Sequence, residues 1–340
     1  MAVRAFITGV SGPVLTDGER AFLRAEQPWG FILFKRNVEN PAQVAALVTD
    51  LRAAVDRPDA PVLIDQEGGR VQRLGPPHWP RYPAGAVFGA LYDQSAEKGL
   101  RAAWLSSRLI AADLAALGIS VDCLPLADVP VTGADAVIGD RAYGTSPGKV
   151  ATIARAVADG LRDGGILPVL KHIPGHGRAT ADSHLRLPTV DASRTELENT
   201  DFVAFSKLSD LPMAMTAHVV FSDLDAAQPA TTSATIIAQV IRGAMNFQGL
   251  LMSDDVSMNA LSGTLAERTR ASLAAGCDVA LHCNGKMDEM RAVASESPVL
   301  AGEALKRAER ALDARKAPQP FDREAGRAEL DELIAQAGIA

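Results

Sequence analysis

Short apolar runs alternate with longer amphipathic segments along most of this 340-residue chain. The apolar runs span four to six residues and are rich in branched side chains, which is typical of strands buried on both faces of a sheet. Eight strands are predicted: Ala5–Thr8, Gly30–Phe34, Val62–Asp65, Ser120–Leu124, Leu167–Lys171, Met213–His218, Leu250–Ser253 and Val279–His282.

Between most of these strands, apolar residues recur at helical spacing. Seven helices are predicted: Asp17–Gln27, Pro41–Val55, Glu97–Leu117, Pro147–Asp163, Arg194–Leu208, Thr235–Met245 and Leu265–Ala275. The alternation predicts an α/β fold with a parallel sheet covered by helices. Eight strands are the number that closes a (β/α)8 TIM barrel, and a doubly wound open sheet is the alternative.

The carboxyl-terminal part, from about residue 288, is rich in Ala, Glu and Arg. Leu305, Ala308 and Leu312 follow helical spacing, and Pro318 and Pro320 divide the region in two. We expect extra helices packed on the barrel. Because no stretch has the composition of a linker, residues 1–340 are expected to form a single domain.

Composition narrows the class of protein. Hydrophobic residues make up 47% and charged residues 22%, as in folded globular chains. A net charge of −7 without any Lys/Arg run argues against a nucleic-acid partner. No apolar run is long enough for a membrane span, and the amino terminus lacks a signal-peptide pattern. Three cysteines, Cys123, Cys277 and Cys283, fit a reducing compartment, so a cytoplasmic location is expected.

Polar residues follow several of the predicted strands at the point where each strand ends. Asp65 ends the third strand, Lys171 ends the fifth and is followed by His172, and Asp254 with Asp255 follows the seventh. The carboxyl ends of the strands of a barrel converge on one face, where active sites lie. The sequence therefore predicts a site on this face.

Two pairs of residues indicate proton transfer or nucleophilic chemistry. Asp254 and Asp255 should point to opposite sides, so one carboxylate faces the barrel axis, unless the pair caps a following helix. In an extended loop, Asp182 and His184 share a face, so Asp182 can fix the imidazole tautomer. His184 could then give and take protons near neutral pH, although a loop histidine without a role is the alternative.

The segment DQEGGRVQRL, which begins at Asp65, combines carboxylates and guanidinium groups around two glycines. Asp65, Arg70 and Arg73 suit hydrogen bonds to a polyhydroxylated ligand, whereas the alternative is a solvated surface turn. Arg141 follows the fourth strand as either a ligand clamp or a partner of Asp140, and the local sequence does not choose between them.

Zinc binding by His172, His176, His184 and Asp182 is a possible alternative. The spacing between the first two histidines spans Ile-Pro-Gly, which does not form the helix of an HExxH site. We therefore expect no metal and no cofactor. The chain also has no G-x-S-x-G elbow for a serine nucleophile.

Four motifs in order give the chain a family resemblance. DQEGGRVQR at Asp65, KHIPGHG at Lys171, DSH at Asp182 and MSDDVSM at Met252 resemble those of family 3 glycoside hydrolases. More narrowly, they are similar to those of the bacterial β-N-acetylglucosaminidases of peptidoglycan recycling. This resemblance implies a (β/α)8 barrel and a retaining glycosidase.

The resemblance also implies roles for individual residues. Asp254 would be the nucleophile, and His184 would be the general acid/base, paired with Asp182. The substrate-binding positions that match the family are Asp65, Arg73, Arg141, Lys171 and His172. The implied substrate is N-acetylglucosamine β-linked to an anhydro-muramic acid peptide, and we expect the loop that carries His184 to close over the sugar.

Alternatives on the same fold are an exo-β-glucosidase, a sugar phosphorylase and a catalytically inactive sugar-binding protein. In each case the expected partner is a small carbohydrate, with no nucleic acid and no membrane. The expected assembly is a monomer or weak oligomer.

Overall fold

Eight parallel strands close into a barrel in this computed structural model, which describes residues 2–183 and 185–336. In chain order the strands are β1 (Arg4–Thr8), β2 (Pro28–Leu33), β3 (Val62–Ile64), β4 (Gln66–Gly68), β5 (Val71–Gln72), β6 (Val121–Asp122), β7 (Leu167–Ile173), β8 (Thr189–Val190), β9 (Met213–Thr216), β10 (Val220–Phe221), β11 (Asp225–Pro229), β12 (Leu250–Asp255) and β13 (Val279–His282). The barrel runs β1-β2-β3-β6-β7-β9-β12-β13 and returns to β1. The closed barrel confirms the predicted fold, and the open-sheet alternative was wrong.

All eight predicted strands correspond to barrel strands, with some shifted ends. The largest difference is β6, where regular pairing covers only Val121–Asp122 of the predicted Ser120–Leu124. The five other strands form a hairpin, β4-β5, and a small sheet, β8-β10-β11, above the barrel strands. These short strands belong to the loops that follow β3, β7 and β9.

Helices cover the outside of the barrel. They are α1 (Asp17–Glu26), α2 (Pro41–Ala54), α3 (Gly85–Gln94), α4 (Ala96–Ala116), α5 (Pro147–Asp163), α6 (Arg194–Asn199), α7 (Asp201–Ser206), α8 (Leu265–Ala275), α9 (Met287–Glu296), α10 (Gly302–Asp313) and α11 (Arg323–Gln336). The predicted helix Arg194–Leu208 is two helices, because Thr200 adopts a non-helical backbone conformation. The segment Ile236–Ala244 is helical as predicted but winds as a π-helix. Helix α3 was not predicted.

Apolar side chains fill two regions, one between the strands and the helices and one inside the barrel. The inner core takes alternate residues of each strand, such as Leu167 and Val169 of β7. Leu300, with Ala308 and Ala311 of α10, packs against the inner core near the amino-terminal ends of the strands. That end is thereby filled, and the opposite end is left for polar groups.

Alternation along the strands also decides which polar residues enter the barrel. Leu63, Val169 and Met252 belong to the inner core, and the residues two positions further on are Asp65, Lys171 and Asp254. Each of these charged side chains lines the same cavity at the carboxyl ends of the strands. Within the described part of the chain, no helix is long and apolar enough to cross a membrane.

Candidate active site

A cavity of about 480 Å³ lies at the carboxyl ends of the barrel strands. It brings together seven of the eight residues that the sequence predicted for the site: Asp65, Arg73, Arg141, Lys171, His172, Asp182 and Asp254. The eighth, His184, lies outside the described residues. Segments that are up to 189 positions apart in the chain thus meet at one cavity, as the strand-end pattern predicts.

A network of ion pairs forms one wall of the cavity. The Lys171 ammonium lies 3.1 Å from Asp65 Oδ1 and 2.6 Å from Glu67 Oε1. Arg73 donates to Asp65 at 2.9 Å, and Arg141 makes two parallel bonds to Glu67 at 2.8 and 2.9 Å. We call these five residues the ionic wall. Three cations and two carboxylates hold one another in place here.

Burial and ion pairing shift the pKa values of the ionic wall in opposite directions, and the effect of ion pairing is the larger. Burial raises the pKa of Asp65 and Glu67, but Lys171 and the neighbouring guanidinium groups more than offset this and lower both pKa values. Burial likewise lowers the pKa of Lys171, yet the two carboxylates raise it overall. All of these groups are therefore charged at neutral pH. They present fixed charges and hydrogen-bonding atoms to a ligand.

Glu67 is a central member of the ionic wall that the sequence prediction missed. It binds both Lys171 and Arg141, and its side chain is 5% exposed. A signal was available, because Glu67 lies two positions after Asp65 and so shares its face in an extended segment. The observed hairpin β4-β5 provides that extended geometry.

Arg141 reaches the cavity from a 3-10 turn, Gly139–Arg141, that packs on α3. A Cβ atom on Gly85 would lie 2.1 Å from the carbonyl oxygen of Arg141, and one on Gly89 equally close to that of Tyr143. Only glycine permits this approach between helix and turn. The same two glycines lower helix propensity, which explains why α3 was not predicted.

Asp128 is a second residue that the sequence prediction missed, and it forms hydrogen bonds with His172 and His176. Asp128 is fully buried, and its carboxylate accepts bonds from His172 Nδ1 at 2.8 Å and from the backbone N–H of His176 at 2.7 Å. Burial raises the Asp128 pKa, but the His172 imidazole and the further bonds lower it overall. The carboxylate is therefore ionised, and it fixes one ring nitrogen of His172 as the donor.

Asp128 escaped prediction because the fourth barrel strand was taken to stop at Leu124. Beyond the regular pairing of β6, the chain remains beside β7 through a bridge between Leu126 and Lys171. The backbone N–H of Ala127 also donates to the carbonyl of Lys171 at 2.8 Å. Extending the strand to Ala127 would have placed Asp128 at a strand end, where the same rule selected Asp65.

The adjacent carboxylates Asp254 and Asp255 have different surroundings. Asp255 accepts from Ser257 Oγ at 2.6 Å and from the backbone N–H of Cys283 at 3.2 Å, which ties the end of β12 to β13. Asp254 continues the inward alternation of β12 and accepts from the backbone N–H of Asp255 at 2.8 Å. Both residues line the cavity, and they differ in that Asp255 also bonds to Ser257 and Cys283. The catalytic role of Asp254 stays a prediction.

The loop between β7 and β8 brings Asp182 to the cavity. The backbone N–H groups of Leu185 and Arg186 donate to the Asp182 carbonyl at 3.0 and 3.1 Å, so Asp182 begins a tight turn. The predicted contact between Asp182 and His184 falls on a residue outside the described part of the chain. The role of this pair is therefore still a prediction.

Among residues 2–183 and 185–336, no group of three or more His, Cys, Asp or Glu side chains is arranged to hold a metal ion. His172 Nδ1 is bonded to Asp128, and His176 Nε2 lies 3.0 Å from Ser183 Oγ. Both nitrogens thus have protein partners.

Comparison with known proteins places the chain in a family. The sequence profile described as Glycosyl hydrolase family 3 N terminal domain matches residues 13–315. A β-hexosaminidase of Alkalilimnicola ehrlichii is 40% identical over 288 residues, covering 84% of this chain and 82% of that protein. One from Methylococcus capsulatus is 41% identical over 277 residues, or 80% of each chain.

Solved structures agree with the sequence comparisons. NagZ from Neisseria gonorrhoeae in complex with N-trifluoroacetyl-D-glucosamine has a TM-score of 0.85 and 32% identity to this chain. The match covers 99% of this chain and 98% of NagZ, so the two share the whole fold. With the profile, the relatives and the barrel in agreement, the chain belongs to family 3 of the glycosyl hydrolases.

Proposed function

We propose that the protein is a retaining exo-β-N-acetylglucosaminidase, which removes non-reducing terminal N-acetylglucosamine from peptidoglycan fragments. The observation that carries this proposal is the convergence of Asp254, Asp182 and the ionic wall on one cavity. Its volume lies within the range of small-ligand sites. The relatives named as β-hexosaminidases, at about 40% identity, support the choice of sugar.

In this mechanism Asp254 attacks the anomeric carbon, and His184 protonates the departing glycosidic oxygen. The bond from carbon to the leaving oxygen breaks as the bond to Asp254 forms, which gives a covalent glycosyl-enzyme. Water then attacks the same carbon, His184 takes its proton, and the Asp254 carboxylate leaves. Asp182 orients the His184 imidazole throughout, in the role that a carboxylate commonly has beside a catalytic histidine.

The ionic wall would bind the sugar while these steps occur. Asp65 and Glu67 are ionised and can accept bonds from hydroxyl groups, whereas Arg73, Arg141 and Lys171 can donate to sugar oxygens. Because these groups are already held by one another, little reorganisation is needed when the sugar arrives. His172, oriented by Asp128, would add a further polar contact.

The physiological substrate in this proposal is N-acetylglucosamine β-linked to an anhydro-muramic acid peptide. The protein would act on it in the cytoplasm, as a monomer or weak oligomer. The three cysteines are all free and buried, which is compatible with a reducing compartment.

The first test is hydrolysis of nitrophenyl N-acetyl-β-glucosaminide beside nitrophenyl β-glucoside, with and without phosphate. We expect turnover of the acetamido sugar, no requirement for phosphate, and a β-configured first product by NMR. Preference for glucoside would indicate a glucosidase, and phosphate-dependent turnover a phosphorylase. Sugar binding without turnover would contradict an enzymatic role.

A muropeptide substrate is tested separately. Release of N-acetylglucosamine from purified anhydro-muropeptides, followed by mass spectrometry, should be at least as efficient as release from chitobiose. A strong preference for chitobiose would overturn the proposed substrate while leaving the glycosidase activity intact.

A further inference from the structure

His176 lies at the base of the loop that carries Asp182, and the mechanism above gives it no role. Its backbone N–H donates to the buried Asp128 at 2.7 Å. Its ring packs edge-on against the ring of His172, with a centroid separation of 5.7 Å. The position of His176 is therefore fixed by the same carboxylate that fixes His172.

The His176 side chain connects this fixed base to the far end of the loop. Its Nε2 atom lies 3.0 Å from Ser183 Oγ, and both side chains are buried, with each residue 3% exposed. Ser183 directly follows Asp182 and directly precedes position 184. A hydrogen bond at Ser183 thus restrains the residue that directly follows Asp182.

Ser183 is held from a second side as well. Its backbone carbonyl accepts from the N–H of Ala260 at 3.2 Å, on the loop that follows β12 and Asp254. The turn at Asp182 is therefore attached to the β7 side through His176 and to the β12 side through Ala260. These two bonds set the position of the turn relative to the predicted nucleophile.

The other nitrogen of His176 argues against a purely packing role. Among the described residues, His176 Nδ1 is buried and has no hydrogen-bond partner. An unsatisfied buried polar atom costs free energy, so an apolar side chain would fill this space at lower cost. Burial, with the nearby His172, lowers the His176 pKa to about 4, so the ring is neutral at pH 7. What the histidine provides here is the bond to Ser183.

We propose that His176 is a positioning residue, whose hydrogen bond to Ser183 aligns the Asp182 turn for proton transfer to the leaving group. The inference rests on the proposed glycosidase function, and it adds a residue that does not touch the substrate. Small displacements of a proton donor are costly, because catalysis depends on its alignment with the leaving oxygen. The effect should therefore depend on how much help the leaving group needs.

The test compares Ser183→Ala with Thr180→Ala, which removes an exposed hydroxyl from the same loop. Substrates are dinitrophenyl and phenyl N-acetyl-β-glucosaminides, with a good and a poor leaving group. For Ser183→Ala we expect kcat/KM to fall roughly 10- to 100-fold with the phenyl glycoside and less than about 3-fold with the dinitrophenyl glycoside. Thr180→Ala should match the wild type on both.

Variants at His176 provide the second half of the test. His176→Leu should give the same leaving-group dependence as Ser183→Ala, and His176→Gln, whose amide can reach the hydroxyl, should recover part of the loss. The His176→Leu/Ser183→Ala double variant should be no worse than His176→Leu alone, because both changes break the same bond. We expect Ser183→Ala to keep the Tm of the wild type, because the substitution removes only one oxygen atom. An unchanged Tm shows that the loss of activity does not come from a folding defect.

Two results would overturn the inference: wild-type activity in Ser183→Ala, or an equal loss with both leaving groups. The second result would mean that the bond only stabilises the loop. If the wild type itself hydrolyses neither glycoside, the proposed function fails first. That outcome is distinguishable, since it appears before any variant is made.

Discussion

The ionic wall and the Asp182 loop face the same cavity, but they are built in different ways. The wall consists of side chains on strand ends and short turns, and every member is paired with another member. Among the described residues, backbone bonds at Asp182, a side-chain bond at Ser183 and ion pairs of Arg178 with Glu196 and Asp201 hold the loop. The wall is therefore organised before a ligand arrives, whereas the loop depends on a few separable contacts. Binding and proton transfer have correspondingly different requirements for rigidity.

The largest expected effect comes from removing the predicted nucleophile, which belongs to neither region. Asp254→Ala should lower kcat by on the order of 10⁴-fold or more, because no covalent intermediate can form. The fold should persist, since Asp255 keeps its bonds to Ser257 Oγ and to the backbone N–H of Cys283 in this variant. Steady-state hydrolysis of nitrophenyl N-acetyl-β-glucosaminide measures the loss, and near-normal turnover would remove Asp254 from this role.

Breaking the ionic wall should damage both stability and activity. Lys171→Met leaves Asp65 and Glu67 buried without their shared cation, which should cost about 3–5 kcal/mol in the free energy of unfolding. We also expect kcat/KM to fall roughly 100-fold, because sugar-binding groups lose their arrangement. Urea denaturation and steady-state kinetics measure the two effects.

The matched control is Lys306→Met, which breaks a pair with Glu303 whose side chains are more than half exposed. Exposed pairs contribute little, so stability and activity should stay close to those of the wild type. If the two lysine variants behaved alike, the ionic wall would not be the organised region that its contacts indicate.

The sequence predicted the cavity residues at strand ends better than the residues that hold them in place. Asp65, Lys171 and Asp254 were found because a polar residue at the end of an apolar strand stands out in the sequence. Glu67 and Asp128 were missed because neither directly follows the apolar run of a predicted strand, and their partners lie 104 and 44 positions away, respectively, in the chain. Pairing across such distances is created only when the barrel closes.

Local backbone geometry limited the prediction elsewhere. Helix α3 was missed because its glycines are required for close packing against the Arg141 turn. Helix propensity, which depends on the local sequence, does not include this tertiary contact. The break at Thr200 was missed because the apolar pattern continues on both sides of it. By contrast, the predicted bounds of α8 are those observed, since a capping box at Thr264 and Gly276 at the end mark them locally.

Asp128 joins the two regions, so its removal should have an intermediate effect. Asp128→Asn keeps the shape of the side chain but loses the charge that faces His172 Nδ1 and the His176 backbone. We expect kcat/KM to fall about 10- to 100-fold, which corresponds to the loss of one or two charge-assisted bonds. Full activity in Asp128→Asn would contradict the orienting role.

The smallest expected effect on turnover is at Asp122, which lies behind the wall and does not line the cavity. Its carboxyl is fully buried, and burial raises its pKa well above the usual value despite the nearby Lys171. Above about pH 4 the unfolded chain ionises this carboxyl, whereas the raised pKa makes the folded protein keep its proton to higher pH. Its contribution to stability is therefore present at low pH and is lost as pH rises toward the folded pKa, by up to about 1.4 kcal/mol per pH unit.

Asp122→Asn removes this titration while keeping an oxygen that can accept from the Gln66 backbone N–H. The stability of the variant relative to the wild type should increase as pH rises above about 4, with kcat/KM changed less than about 2-fold. Thermal unfolding across this pH range measures the difference. Because Asp65 and Glu67 have lowered pKa values, they favour the folded state above about pH 4 in both proteins and cancel from the comparison. A pH-independent difference in Tm would show that Asp122 is ionised in the folded protein and that the ionic wall extends to it.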